Sequence, residues 1–115
     1  MNTQSLAFTV PLLPDMTEVD RSAMQSCWRG DRRADHEESR RHLGITRESV
    51  WIQPTPDGDV AVVVLEAEDL GTALAGLGTS DAPFDTWFRE HCLRVHGIDL
   101  AAGFPPPEQI LDFRE

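Results

Sequence analysis

The sequence predicts one α+β domain in which helices cover one face of a four-stranded antiparallel sheet. Three observations carry this prediction. Strand-like and helix-like periodicities alternate along the chain, an Asp-Gly pair joins two adjacent apolar runs, and Gly or Pro marks most segment ends. The chain has 115 residues, enough for one hydrophobic core and little more. We therefore expect a single domain over residues 1–115.

The first strand and the first helix are expected near the start of the chain. Apolar and polar residues alternate through 5–12, which predicts a strand. Thr17-x-x-Asp20 resembles a capping box with Asp in place of Glu, so a helix is expected from there to about Arg29. Helical periodicity buries Ala23 on this helix.

A second helix is expected over the charged segment 31–44, with Asp31 as its N-cap and Gly44 at its C-terminal end. Glu37 has an arginine four residues away on each side, which is typical of a solvated face held by ion pairs. The segment has almost no apolar stripe. It is therefore expected either to face water or to fold over something polar.

The middle of the chain predicts a β-hairpin. Residues 48–55 and 60–67 have strand-like composition on either side of an Asp57-Gly58 turn. Outward pairing from that turn places only aliphatic side chains on one face, as a surface packed on helices requires; they are Val50, Ile52, Val63 and Leu65. The opposite face mixes apolar and polar groups, namely Ser49, Trp51, Gln53, Val62, Val64 and Glu66.

Two further helices and a last strand complete the predicted order. Asp69 is placed to cap a short helix over 70–77, and Pro83 and Gly97 bound a longer one. Residues 108–113 are expected to form the final strand. The order strand, helix, strand, strand, helix, strand predicts a ferredoxin-like sheet with its helical segments on one face.

Charge and composition exclude several classes of protein. The net charge of −10 argues against binding to nucleic acids or anionic membranes. All ten basic residues are Arg, and the absence of Lys excludes Schiff-base chemistry and lysine-dependent phosphate loops. No apolar run reaches the ~20 residues of a membrane-spanning helix, and the N-terminal segment lacks a basic signal-peptide region. We therefore expect a cytoplasmic protein with free thiols at Cys27 and Cys92.

Two segments carry a resemblance to a known superfamily. "LGITRESVWIQPTPDGDVAVVVLEAED" and "DAPFDTWFREHCLRVHGIDL" resemble the dimeric α/β-barrel superfamily, and within it a small, functionally uncharacterised actinobacterial family. The resemblance implies a homodimer in which two sheets pack face to face, which would cover the apolar face around Trp51. It also implies a small apolar pocket between sheet and helices for polyketide-like or other apolar ligands. It supplies no catalytic residues.

The helix over 83–97 holds the strongest candidate for a functional site. Trp87, Phe88 and His91 share one broad face at helical spacing, and the two aromatics are expected in the core or as walls of a ligand pocket. Three interpretations of His91 stay open. It is a core histidine satisfied by a carbonyl or carboxylate, a pocket acid or base, or a metal or haem ligand.

Glu66 is the second candidate, as a solvent-facing residue at a strand end or as a pocket base. In a barrel pocket, Trp51 would supply an apolar wall and Gln53 would orient a carbonyl or hydroxyl group. His91 or Glu66 would then move a proton. This chemistry needs no cofactor, and no metal site is expected.

The sequence therefore predicts a homodimeric α+β-barrel protein that binds a small, largely apolar molecule. It leaves two functions open. One is a cofactor-independent enzyme of secondary metabolism that catalyses an oxygenation, a cyclisation or an isomerisation. The other is a non-catalytic protein that senses a ligand or mediates an interaction.

Overall fold

The computed structural model describes residues 3–115, and it shows an α+β arrangement of four helices and a three-stranded antiparallel sheet. The strands are β1 (Gln4–Pro11), β2 (Ile45–Thr55) and β3 (Gly58–Ala67). The helices are α1 (Thr17–Arg29), α2 (Arg33–Leu43), α3 (Leu70–Thr79) and α4 (Pro83–His96), and a short 3₁₀ turn follows at Leu100–Ala102.

The sheet has the order β1-β3-β2, so β3 is central and both neighbours run antiparallel to it. Alternation along β3 turns Val63 and Leu65 towards the helices, where they pack into the core. The other face, here called the open face, carries Trp51, Gln53, Val60, Val62, Val64 and Glu66. The side chains of this face are exposed or only partly buried.

The core lies between the sheet and the helices. Leu65 and Ala67 from β3 pack with Leu43 at the end of α2 and with Ala73 and Leu77 from α3. The aliphatic side chains that the sequence predicts on the helix-facing side of the hairpin are therefore buried or partly buried, and Glu48 lies on the same side. No helix within residues 3–115 has the length and apolar character to span a bilayer.

The predicted hairpin is confirmed, but its turn lies one residue earlier than the sequence predicts. Thr55 pairs with Gly58, so the two loop residues are Pro56 and Asp57. Proline fixes the backbone at the first loop position, and the Asp57 amide donates to Thr55 Oγ1 at 3.3 Å. The change moves the cross-strand pairing by two residues. Because two is an even number, every side chain keeps its predicted face.

The prediction of a fourth strand at residues 108–113 is wrong. These residues form no strand and are exposed. Pro105–Pro107 precede them, and proline offers no amide donor for pairing with β1. Phe104 packs on the sheet, with its ring 5.1 Å from that of Phe8. The apolar side chains beyond it are 81–87% exposed, at Ile110, Leu111 and Phe113.

Three predicted helix boundaries are confirmed by their caps. Gly44 ends α2 with φ of 78°, and Gly97 ends α4 with φ of 70°, the left-handed conformation that glycine adopts without strain. Asp69 accepts a hydrogen bond from the Thr72 amide at 3.0 Å and caps α3.

The predicted side-chain caps of α1 and α2 are wrong. Met16 occupies the cap position of α1 without a side-chain hydrogen bond, and Arg32 does the same for α2. The Thr17 hydroxyl instead donates to a carboxylate on β3, and Asp20 is buried with 2% exposure. The Asp20 side chain therefore lies in the interior of the protein and does not cap the helix.

Candidate functional site

A cavity lies between the sheet and the helices, and most of its lining is apolar. It has a volume of about 70 Å³, which is room for a few waters or one compact organic molecule. Phe8 and Val63 line it from the sheet, Leu74 lines it from α3 and Phe88 from α4. Walls of this kind suit a compact apolar ligand.

Asp20 and His91 are two of the polar residues that line this cavity. Asp20 Oδ1 and His91 Nε2 are 2.8 Å apart, and the two residues are 2% and 7% exposed. A carboxylate oxygen accepts hydrogen bonds, so His91 Nε2 carries the proton of this bond and donates it to Asp20. Trp87 stacks on the imidazole with ring centres 5.4 Å apart. The ring is thus held by a carboxylate at one atom and by an aromatic plane on one side.

The second carboxylate oxygen of Asp20 has no hydrogen-bond donor among residues 3–115. Among the side-chain N and O atoms of residues 3–115 that have almost no exposed surface, no other lacks a partner. Leaving a buried polar atom unpaired costs about 1–3 kcal/mol, and more when the group is charged. Since Asp20 lines the cavity, a ligand that donates a hydrogen bond to this atom would be stabilised there.

Helical spacing explains how residues from two distant helices meet. Asp20, Ala23 and Cys27 lie on one stripe of α1, and all three are buried. His91 and Val95 lie on the buried stripe of α4. Because α1 packs against α4, the carboxylate of one stripe reaches the imidazole of the other.

Cys92 follows His91 and lines the same cavity. Burial, and then the negative charges of Asp20 and Glu48, raise the pKa of Cys92 to about 12. A thiol with this pKa stays protonated near neutral pH and is a poor nucleophile. The cavity therefore offers hydrogen bonding and proton transfer rather than thiolate chemistry.

Glu48 also lines the cavity, but its carboxylate is fully engaged. Arg40 donates to both oxygens, from Nε at 2.8 Å and from Nη2 at 3.2 Å, and His36 Nε2 donates to Oε1 at 2.6 Å. Burial by itself would raise the pKa of Glu48. The hydrogen bonds of His36 and Arg40, with the positive charge of Arg40, lower it from 4.5 to about 2. Glu48 is therefore ionised and paired near neutral pH.

Helix α2 folds over this polar cluster and also faces water. Arg40 Nη1 donates to Ser39 Oγ at 3.0 Å, and Ser39 in turn donates to the buried carboxylate of Asp85. Ser80 Oγ donates to the other oxygen of Asp85 at 2.6 Å. The exposed side of the helix carries the predicted ion pairs of Glu37 with two arginines. Both environments expected for this charged segment are thus present on opposite sides of one helix.

The structure brings together the candidate residues of α4. Phe88 and His91 both line the cavity. Trp87 is not part of its wall and instead stacks between His91 and Arg32, whose guanidinium carbon is 4.1 Å from the centre of the Trp87 ring. Of the partners considered for His91, the structure shows a carboxylate.

Trp51, Gln53 and Glu66 lie on the open face, so the sheet separates them from His91. Trp51 is 52% exposed. The Gln53 amide donates to the Pro54 carbonyl at 3.1 Å, and Glu66 accepts from Arg47 at 3.5 Å. A single chain therefore does not place these three residues in the same site as His91.

Sequence reasoning missed two polar residues of the cavity. Asp20 lies three residues before Ala23, on the apolar stripe of its helix, and Glu48 lies two residues before Val50 on the aliphatic strand face. Both residues are carboxylates at positions where the helix or strand periodicity otherwise places apolar side chains, and this pattern could have identified them. In the case of Asp20 that pattern was masked by its resemblance to a capping residue.

The other imidazole beside the cavity is engaged in the fold. His96 Nδ1 donates to the Pro11 carbonyl at 2.8 Å. Across the described part of the chain, no three His, Cys, Asp or Glu side chains cluster as a metal site would require. The polar chemistry of the cavity therefore centres on Asp20 and His91.

Comparison of the sequence with models of protein families finds no match, and comparison with curated proteins finds none either. Three features of the structure bear on function: the cavity, the Asp20–His91 pair and the open face of the sheet.

Proposed function

We propose that this chain forms a homodimer and binds a small, largely apolar molecule in the cavity between its sheet and its helices. The observation that carries the ligand site is a largely apolar cavity whose lining includes the buried Asp20–His91 pair. Apolar walls favour hydrophobic binding, and a few polar groups at one end orient the bound molecule. The size of the cavity favours a compact molecule.

The open face supports the homodimer. Trp51 is half-exposed and pairs across the strands with Val62, between Val60 and Val64, and apolar surfaces of this kind are typical of interfaces. In a two-fold dimer each patch meets its own copy, so it must be complementary to itself. The Arg47–Glu66 pair supplies charges of both signs on the open face, which is compatible with such a self-complementary contact.

The arrangement of strands supports a ferredoxin-like unit. The order β1-β3-β2 with all helices on one side is that of a ferredoxin-like sheet without its second edge strand. Two such sheets packed through their open faces would form a dimeric α/β barrel. In that assembly Trp51, Gln53 and Glu66 would belong to the interface between the two copies.

Proton transfer in the cavity is a second candidate function, and the Asp20–His91 pair favours it. Asp20 accepts the hydrogen bond that His91 Nε2 donates. The other ring nitrogen, Nδ1, makes no hydrogen bond to residues 3–115. Nδ1 would take a proton from a bound molecule, and the carboxylate would stabilise the resulting imidazolium. Such a site would serve an isomerisation or a cyclisation without a cofactor. A non-catalytic ligand sensor would use the same contacts without turnover.

Toluene is a suitable probe of the ligand site because it is compact and apolar. We expect saturable binding to the wild-type protein and a raised Tm. Leu74→Phe fills the cavity and should abolish binding, whereas Leu93→Phe, at an α4 position that is 54% exposed, should retain it. Unchanged affinity in Leu74→Phe would show that this cavity is not the site.

Native mass spectrometry of the purified protein tests the homodimer. We expect the mass of a dimer, and any retained small molecule would appear as a discrete additional mass. A clean monomer at micromolar concentration would contradict the face-to-face assembly while leaving the cavity of each chain to be tested by toluene.

A further inference from the structure

One carboxylate oxygen of Asp20 has no hydrogen-bond donor among residues 3–115, and this indicates which kind of ligand the cavity binds. We infer that the cavity takes a small apolar molecule with one O–H or N–H donor, such as an alcohol, a phenol or an amine, and that this donor binds Asp20 Oδ2. The inference rests on the proposed function and names the chemistry of its ligand.

The two oxygens of Asp20 have different surroundings. Oδ1 accepts a hydrogen bond from His91 Nε2 at 2.8 Å, whereas Oδ2 has no donor among residues 3–115. The residue is 2% exposed, so bulk solvent does not provide one. An ionised carboxylate has about four acceptor positions, and a donor placed at Oδ2 would form a charge-assisted hydrogen bond of the stronger kind.

The remaining polar groups of the lining determine which donors and acceptors are free. Glu48 is bound on both oxygens, and His96 Nδ1 is engaged with the Pro11 carbonyl. Asp20 Oδ2 is left as an acceptor with no donor among residues 3–115, and the protonated Cys92 thiol of the lining is only a weak donor. The cavity therefore favours a ligand that donates, and it disfavours ethers, ketones and carboxylates, because their oxygens bring no donor to this carboxylate.

Phenol, anisole and toluene test this inference because they share a ring and differ in one group. Phenol donates a hydrogen bond, anisole only accepts one, and toluene does neither. We expect phenol to bind the wild-type protein roughly tenfold more tightly than anisole or toluene, the difference expected for one hydrogen bond to a charged group. Dissociation constants from NMR titration at neutral pH give the comparison.

Two variants test whether the preference for phenol depends on the carboxylate of Asp20. Asp20→Asn keeps the size of the side chain and replaces one acceptor by an NH₂ donor, so the preference for phenol over anisole should fall to about twofold or less. Asp59→Asn is the matched control. Asp59 accepts from Thr17 on the same helix α1 at 2.7 Å but does not line the cavity, so the tenfold preference should persist.

The outcomes separate this inference from the function on which it rests. Equal affinities of the wild-type protein for the three probes, or a phenol preference that survives in Asp20→Asn, would overturn the donor requirement and leave apolar binding in place. Failure of all three to bind would overturn the ligand site and the inference together. If Asp20→Asn does not fold, the wild-type series decides by itself.

Discussion

Asp20 on α1 and His91 on α4 are 71 residues apart in sequence and are joined by a 2.8 Å hydrogen bond in the interior. The bond holds two helices together and fixes the imidazole beside an apolar cavity. It uses one oxygen of the carboxylate and leaves the other without a donor among residues 3–115. One contact thus links two helices of the fold and places polar groups in the cavity lining.

The coupling between these two residues is expected to be measurable in the free energy of unfolding. Asp20→Ala and His91→Ala should each lower it by about 1–3 kcal/mol, because each leaves a buried polar partner unpaired. The double variant should lose less than the sum of the two single losses, with a coupling of about 0.5–3 kcal/mol. Urea denaturation of the four proteins gives this value, and strictly additive losses would show that the pair adds no net stability.

Arg40 is expected to be one of the most sensitive positions of the chain. Its side chain is 6% exposed and binds the buried carboxylate of Glu48, so Arg40→Met should cost about 3–5 kcal/mol by leaving that charge unpaired. Arg41→Met is the matched control, because the Arg41 side chain is 74% exposed and pairs with Glu37 on the surface.

Chemical denaturation of both arginine variants checks this difference. The unfolding midpoint should move strongly for Arg40→Met and remain that of the wild type for Arg41→Met. Equal effects of the two substitutions would show that the buried cluster does not hold α2 on the sheet.

The lowered pKa of Glu48 predicts how the free energy of unfolding depends on pH. Its folded pKa of about 2 lies below the ordinary 4.5, so folding favours the ionised form. The contribution is complete above pH 4.5 and is lost as pH falls towards 2. A shift of this size corresponds to about 3 kcal/mol. The free energy of unfolding should fall by roughly that amount more in the wild type than in Glu48→Gln over this range, and parallel pH curves of the two proteins would contradict the assignment.

The open face is expected to control the oligomeric state. Trp51→Arg places a charge at the centre of the proposed interface and should convert the dimer to a folded monomer. Leu93→Arg makes a comparable change at an exposed apolar residue on the helical side, 54% exposed against 52% for Trp51, and should leave the dimer intact. Sedimentation velocity separates the species, and dissociation by both variants, or by neither, would contradict an interface on this face.

The parts of the fold that depend on local signals were predictable from the sequence. The period of two in the hairpin gave the correct faces for Val63 and Trp51, and the glycines at 44 and 97 gave the helix ends. The turn was misplaced because Pro56-Asp57 and Asp57-Gly58 are both good turn sequences, and only strand pairing decides between them.

The fourth strand could not be settled from local composition. Residues 108–113 have the apolar content of a strand, but pairing requires that the chain reach the edge of β1 after Pro105–Pro107. Ile110 and Leu111 are also neighbours in sequence, so a strand would turn them to opposite faces. Tertiary geometry therefore overrides a favourable composition at this point.

The candidate site was predictable in part. The aromatic stripe of α4 pointed to His91 and Phe88, which line the cavity. Asp20 was missed because its local pattern fits a capping box, and its partner is 71 residues away. The prediction that His91 and Trp51 share one site could not be decided from the sequence. His91 lies on the side of the sheet that the helices cover, whereas Trp51 lies on the open face.

The most direct test of the central claim is an NMR measurement of nuclear Overhauser effects between bound toluene and the isotope-labelled protein. Binding beside the Asp20–His91 pair predicts effects to the methyl groups of Val63 and Leu74 and to the ring protons of His91, all of which line the cavity. Effects confined to open-face residues such as Trp51, or none at saturating toluene, would contradict a ligand site between the sheet and the helices.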